Sequence, residues 1–269
     1  MNFSSYEEVE AIDNFVGAEE LEAYRRERLS MYADHLSFFK KLVRRPEGLR
    51  LVEVGSGSSV LLYALESEGL LDKAVGIELS TSRYQFAEQW KREKTFKRVE
   101  NINADFSKVE LDRAAYDCFV IVDNTFSYLC PENEAYPARL LQMAHNCLTA
   151  EGRLLIEINN YMPVIAEIGE EGISFWKELP ESNAFEYSLY RREYNRQKNI
   201  LRVEGIYLSR QGEEKRKSEL SYVYNLENLG RLFNENGFAI TGHYADFRCV
   251  PFAGDASKRL VVIGEKKKR

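Results

Sequence analysis

A chain of 269 residues, 44% of them apolar, has the material for one α/β domain with insertions or two small domains, which excludes wholesale disorder. A net charge of −6 argues against a broad nucleic-acid-binding face, and Cys118, Cys130, Cys147, Cys249 and the scattered His35, His145 and His243 lack zinc-site spacing, so no metal is expected. Residues Met1 to Glu8 lack the basic-then-apolar layout of a signal peptide, and no apolar run approaches the roughly 18–20 residues of a spanning helix, so a cytoplasmic chain with reduced thiols and no membrane partner is expected.

Residues 1–48 read as a helical cap. Leu21, Tyr24, Leu29, Tyr32, Leu36, Phe39 and Val43 fall at amphipathic spacing between Glu19 and Arg45, and Pro46-Glu47-Gly48 ends the run. Two readings stay open: helices packed on a sheet edge, or a lid over a ligand with Tyr24 or Tyr32 facing the pocket. The buried-strand pattern Leu49 to Val54 then breaks into Gly55-Ser56-Gly57-Ser58-Ser59, and a helix opens at Val60. Gly55 allows a tight turn, Gly57 leaves no Cβ between backbone and ligand, and Ser58 and Ser59 can cap the helix. Strand, glycine turn and helix make a nucleotide-binding corner. Val60 stands where a dinucleotide fingerprint needs its third glycine, and no lysine between Arg50 and Lys73 serves a phosphate loop. What remains is Glu53-x-Gly55-x-Gly57.

Strand and helix alternate onward: strands at 74–78, 99–104, 116–123 and 152–159, helices at 81–94 and 134–148. That order predicts a doubly wound, mostly parallel α/β sheet with its ligand beyond the carboxyl ends of the strands. The first three of those strands end on acids. Glu78, followed by Leu79, lies 21 residues after Gly57 and can accept from both hydroxyls of a ribose. Asp105 with Phe106 can meet an adenine amino group while the ring packs on apolar neighbours. Asp123 opens Asp123-Asn124-Thr125-Phe126-Ser127-Tyr128-Leu129. From Phe185 to Tyr224 the pattern changes to antiparallel alternation, with hairpin strands near 185–194 and 200–208 and a third near 218–224. This insert is a substrate cover or a dimer surface. A helix from Leu226 closed by Gly237 and an antiparallel pair, 238–244 and 258–264, return to the core. The Lys266 to Arg269 tail reads as a solvated end. The implied units are 1–48 (cap), 49–182 (core), 183–224 (insert) and 225–269 (rest of the core).

Glu53-Val54-Gly55-Ser56-Gly57, Gly76-Ile77-Glu78-Leu79-Ser80, Ala104-Asp105-Phe106 and Asp123-Asn124-Thr125-Phe126 resemble motifs I to IV of the class I S-adenosylmethionine (SAM) methyltransferases, and Ala150 to Ile156 is similar to their later helix-to-strand segment. The resemblance runs from Leu49 to the carboxyl terminus and implies a Rossmann-like, seven-stranded fold. It implies SAM as cofactor, S-adenosylhomocysteine as product, and cofactor contacts from Glu53, Gly55, Ser56, Gly57, Ser58, Glu78, Leu79, Asp105, Phe106, Asp123, Asn124 and Thr125. Asn124 to Leu129, the insert and the Asp246-to-Leu260 ending look like small-molecule, amino-sugar-type N-methyltransferases. Two departures matter. Ser59 replaces a common third glycine, which is tolerable if it keeps negative φ, and Asp123-Asn124 is not the Asn/Asp-Pro-Pro-Tyr/Phe signature that acts on nucleobase or glutamine nitrogens.

The expected reaction is methyl transfer to a nucleophilic atom, an amine nitrogen first, of a small metabolite. Positioning or base candidates are Asp123, Tyr128, Glu157, Tyr222 and Tyr224; substrate contacts are expected from Ser127, Tyr128, Tyr222 and Arg192. Arg83, Arg191 and Arg192 either grip an acidic group or are solvated charges. The alternatives are an RNA or protein methyltransferase, which a continuous basic groove would favour, and a non-catalytic SAM-binding protein; Val60 argues against an NAD enzyme. A homodimer is compatible with the insert.

Overall fold

The computed structural model describes residues 17–44, 47–169, 172–178, 185–209, 212 and 214–267. Expectations for residues 1–16, for Pro46, for the boundary at 182–183 and for the last two tail residues fall outside them.

Two helices, α1 (Ala18–Ser30) and α2 (Ala33–Lys40), precede the alternating core. That core is β1 (Leu49–Val54), α3 (Val60–Ser67), β2 (Leu71–Glu78), α4 (Thr81–Lys94), β3 (Val99–Asn103), β4 (Tyr116–Ile121), α5 (Thr125–Glu132), α6 (Tyr136–Cys147) and β5 (Leu148–Asn159). A short α7 (Met162–Ala166) leads into β6 (Ile173–Glu178), β7 (Phe185–Asn195), β8 (Ile200–Ser209) and β9 (Glu214–Tyr222). The chain closes with α8 (Leu226–Glu235), β10 (Phe238–Tyr244) and β11 (Arg259–Lys266).

The main sheet has seven strands in the order β10-β11-β5-β4-β1-β2-β3. Strands β1 to β5 are parallel; β11 enters antiparallel between β5 and β10. The two-residue period of the central strands divides the core. Leu51, Cys118 and Val120 face the layer of α3 and α4, whereas Val52, Phe119 and Ile121 face α6 and α8. The connection reverses direction between β1 and β4, and the crevice of such a sheet lies outside the carboxyl ends there.

The amino-terminal helices are docked. Arg25, 1% exposed, makes ion pairs with Glu22 and Glu93 and lies over the rings of Phe86 and Trp90 on α4. The antiparallel insert has four strands, ordered β6-β7-β8-β9, where the sequence suggested three. Ile173–Glu178 carries too short an alternation to announce itself and is held by its pairing with β7. The strand expected near 218–224 is Glu214–Tyr222, beginning four residues earlier. Helix α5, with Pro131 inside it, was also not foreseen. Among the described residues no helix is long and apolar enough to cross a membrane, and all four cysteines are free.

Candidate functional site

The site is assembled from three strand ends. Glu53, near the end of β1, is 2% exposed, and its Oε2 has no hydrogen-bond partner among the described residues. Burial, then the negative charges of Asp123 and Glu78, push its carboxyl well above the usual range. Gly55 (φ 74°) is required by a close approach: a Cβ there would lie 2.4 Å from Thr125 Cγ2. At Gly57 (φ 56°) the nearest atom to such a Cβ is Arg83 Nη1 at 3.7 Å, so the turn is open on its ligand side.

Two expectations about this turn are corrected. Ser59 does not keep negative φ; it is left-handed at φ 58°, ψ 28°. Nor does its side chain cap α3: the fully buried Ser59 Oγ donates to Asn101 Oδ1 (2.7 Å) instead. The tight turn imposes a glycine-like backbone whichever residue occupies it, at a cost of about 1–2 kcal/mol.

Glu78, ending β2, accepts from the Gly57 amide at Oε2 (2.7 Å) and from the Ser80 amide at Oε1 (2.7 Å). This carboxylate therefore ties the glycine turn to the next strand end. Leu79 beside it is 38% exposed, an apolar side chain at the strand end. Asp105 accepts from the Ser107 amide (2.9 Å) and from Tyr136 Oη (3.2 Å). Those hydrogen bonds hold its carboxyl below its ordinary range despite the opposing effect of burial, which is the larger single influence. Phe106 is 7% exposed, packed edge-on against Tyr136.

After β4 the chain turns through two successive left-handed residues, Asp123 (φ 52°) and Asn124 (φ 66°). Neighbouring elements hold this strained corner. Glu157 Oε2 on β5 accepts from the Asp123 amide (3.2 Å), and the Asn124 amide donates to the Glu157 carbonyl (3.3 Å). Asn124 Oδ1 accepts from the Asn159 amide (2.9 Å), and its Nδ2 donates to Tyr161 Oη (3.0 Å), which meets Ser221 Oγ of β9 at 3.3 Å. The Asp123 carboxylate, 52% exposed, accepts from Tyr32 Oη (2.9 Å) and lies 3.8 Å from Arg259 Nη1. Arg259 also pairs with the buried Glu157. Burial pushes the Glu157 carboxyl up, and Arg259 opposes that.

Glu53, the Gly55–Ser58 turn, Glu78, Leu79 and the Asp123–Thr125 corner thus come together around one crevice. Ser56 and Ser58 are buried within the turn. Ser127 is fully buried, with its hydroxyl unpartnered among the described residues, and Tyr128 is half-buried on α5. Tyr222 lies tilted against Tyr224 (4.6 Å), which packs on Phe126 (5.1 Å). Arg192 is not among the strand-end residues: it sits on β7 of the insert, with its guanidinium 4.7 Å from the Phe175 ring. Glu157, with both oxygens engaged, is a scaffold for Asp123 rather than an open carboxylate. Sequence reasoning missed Arg259, Tyr161 and Ser221; only the antiparallel register of β11 on β5 brings Arg259 beside the strand ends. A cavity of about 340 Å³ opens at the opposite, amino-terminal edge of the strands, lined by Arg50, Asp117 and Glu151 among others. It is remote from every residue of the crevice. Among the described residues no group of His, Cys, Asp and Glu could hold a metal ion.

The sequence matches a family described as "Methyltransferase domain" over residues 46–215. No curated protein matches it. The fold is similar to that of the CcbJ methyltransferase from Streptomyces caelestis, with a TM-score of 0.74 and 16% identity over 87% of this chain and 89% of that one. A SAM-dependent methyltransferase from Clostridium acetobutylicum aligns with a TM-score of 0.72 and 13% identity over 88% and 92%. CalS10, an amino pentose methyltransferase from Micromonospora echinaspora solved with SAM bound, aligns with a TM-score of 0.66 and 16% identity over 94% and 99%. With the family match spanning more than half of its residues, the chain belongs to the methyltransferase-domain family and has the Rossmann-like fold of SAM-dependent methyltransferases.

Proposed function

We propose that the chain transfers a methyl group from SAM to an amine nitrogen of a small metabolite. One observation carries the cofactor assignment: Glu53 is a buried carboxyl with an oxygen unpartnered among the described residues, at the switch point of the sheet, beside a turn open at Gly57. Such a group asks for a buried cationic donor, which the α-ammonium of SAM supplies. The other residues fit the same group. Glu78 has lone pairs left for ribose hydroxyls, exposed Leu79 offers an apolar face to adenine, and Asp105 is an acceptor one strand further on. Bound SAM would supply a methyl group already activated by its sulfonium.

The protein's task is then alignment, holding nucleophile and methyl about 3–3.5 Å apart. Asp123, half-exposed and oriented by Tyr32 and Arg259, is the carboxylate suited to grip the acceptor amine or take its proton. Glu157 acts through Asp123 as a positioning residue. The amine acceptor is favoured by the Asn124-to-Leu129 segment and by the likeness to the amino pentose enzyme.

Calorimetry with SAM and with NAD tests the assignment directly. SAM should bind and NAD should not; the reverse overturns the reading. Glu78→Ala should weaken SAM by about 1.5–3 kcal/mol, the value of hydrogen bonds to a charged group, and an unchanged affinity would remove Glu78 from the cofactor set. Asp123→Asn should lower turnover on the order of 10²-fold while SAM affinity holds.

A further inference from the structure

The four-stranded insert presents one face toward the crevice, and that face is unusual in charge. In its register Phe175, Tyr190, Gly205 and Lys217 form one row across β6 to β9. The adjacent row is Lys177, Ser188, Tyr207 and Lys215, and on the other side Arg192 shares a row with Glu219. The rings are locked together. Phe175 stacks on Tyr190 at 5.3 Å, Tyr190 meets Tyr207 edge-on at 5.8 Å, and their hydroxyls lie 3.3 Å apart. Gly205 makes the room for them, since a Cβ there would stand 3.0 Å from Tyr207 and 3.4 Å from Tyr190.

Cations surround the rings. Arg192 Cζ is 4.7 Å from the Phe175 centroid, Lys177 Nζ is 5.9 Å from the same ring, and Lys217 Nζ is 5.7 Å from Tyr207. Lys177, Arg192 and Lys217 on this face share its register, among the described residues, with one carboxylate, Glu219, in a chain whose net charge is −6. Burial, together with the like charges of Lys215 and Arg83 and against the pull of Glu219, lowers the Lys217 ammonium below its ordinary range, the condition an incoming anion relieves.

This face adjoins the crevice. Arg83, in the first turn of α4, lies both within the field of Lys217 and beside Gly57. At the other end of the same strand face, buried Ser221 meets Tyr161, the partner of Asn124. From Ser221 to Lys217 is four residues, roughly 13 Å at about 3.3 Å per residue, the span of a small metabolite.

We propose that this aromatic and cationic face holds the acceptor's acidic group, so that the substrate is a small molecule carrying a phosphate or carboxylate at the end remote from its accepting nitrogen. The rings would take the body of the acceptor, and Lys217, Arg192 and Lys177 its anion. The inference rests on the methyltransferase reading above and adds the substrate class. A small acid fits better than a nucleic acid strand. Glu219 interrupts the positive face, the apolar cluster of Ile168, Leu201 and Val223 under α7 closes one end, and the rings contact each other instead of standing apart as platforms for successive bases.

The test uses the full chain, with and without S-adenosylhomocysteine. Phenyl phosphate, benzoate, uncharged benzyl alcohol and a twelve-nucleotide uridine RNA are titrated separately by calorimetry. One or both acids should bind and benzyl alcohol should not, the stronger acid telling phosphate from carboxylate. Lys217→Gln combined with Arg192→Gln should weaken the acid about tenfold or more, as loss of charge-assisted hydrogen bonds requires, with S-adenosylhomocysteine affinity and circular dichroism unchanged. Glu219→Gln should instead tighten the acid by a few fold, on the order of one removed like charge. Absence of acid binding in protein that binds S-adenosylhomocysteine overturns this proposal and leaves the methyltransferase reading intact. Acid binding without S-adenosylhomocysteine binding does the opposite. Tighter binding of the RNA, lost in the same double variant, overturns the small-molecule assignment in favour of a nucleic acid acceptor.

Discussion

Glu53 is a carboxyl folded into a place that disfavours its charge, and that has consequences for stability. Its folded pKa is raised above the ordinary 4.5, so the folded ligand-free chain keeps a proton that the unfolded chain releases. Stability from this group is complete below about pH 4.5 and is lost as pH rises through the raised value. Glu53→Gln carries no such penalty. The ligand-free variant should therefore melt higher than the parent at pH 8, with the difference shrinking toward pH 5, as read by differential scanning fluorimetry. The same variant should bind SAM more weakly by about 1.5–3 kcal/mol, because the charge opposite the ammonium is gone. Equal melting at both pH values would mean that Glu53 is ionised in the free protein. The left-handed Asp123–Asn124 corner is the second residue-scale feature. Two non-glycine residues at positive φ persist only because Glu157, Asn159, Tyr161 and Arg259 over-determine the turn.

At the scale of elements, the amino-terminal helix pair touches the crevice through Tyr32, and His35 is its weak point. The imidazole is packed between Tyr32 (4.7 Å) and Phe247 (3.7 Å), with both nitrogens unpartnered among the described residues. Burial lowers its pKa from 6.5 to about 4. The folded state thus excludes a proton that the unfolded state takes up, so this contribution is present above pH 6.5 and is lost as pH falls toward 4. Hydrogen exchange in α2 should quicken between pH 7 and pH 5 once corrected for intrinsic rates, and His35→Phe should flatten the change. A pH-independent α2 would remove His35 as the cause. The opposite end of the pair is anchored by Arg25. Arg25→Ala should cost about 2 kcal/mol, the value of a desolvated guanidinium on aromatic faces, measured by denaturant unfolding. If these helices act as a lid, Tyr32→Phe should raise SAM dissociation while leaving the melting temperature near that of the parent.

For the whole molecule, the crevice joins parts far apart in sequence: Tyr32, Glu53, Glu78, Asp123, Glu157 and Arg259 come from six segments. Ligand bound there should stabilise the entire fold. At a hundredfold excess over its dissociation constant S-adenosylhomocysteine should add about 2.7 kcal/mol, a rise in melting temperature of roughly 5–10 °C for a chain of this size. NAD at equal concentration should leave the transition in place. A shift with NAD alone would point to a different nucleotide site.

What the sequence determined unaided is whatever rests on local period and chain order. The apolar runs at β1 and β4, the glycine turn after Glu53 and the acids closing β1, β2 and β4 are one-dimensional signals, and they were sufficient for the parallel sheet and for most of the crevice. Neighbours in space but not in sequence were invisible. Ile173–Glu178 is a strand because β7 lies beside it, Ser59 is left-handed because the turn closes against Asn101, and Arg259 reaches Asp123 because β11 runs antiparallel along β5. The charged face of the insert belongs to the same class: Lys177, Arg192 and Lys217 are 15 to 40 residues apart, and only strand register sets them on one side. Period and turn chemistry act over a few residues, whereas pairing, burial and charge act over distances that only the folded chain defines.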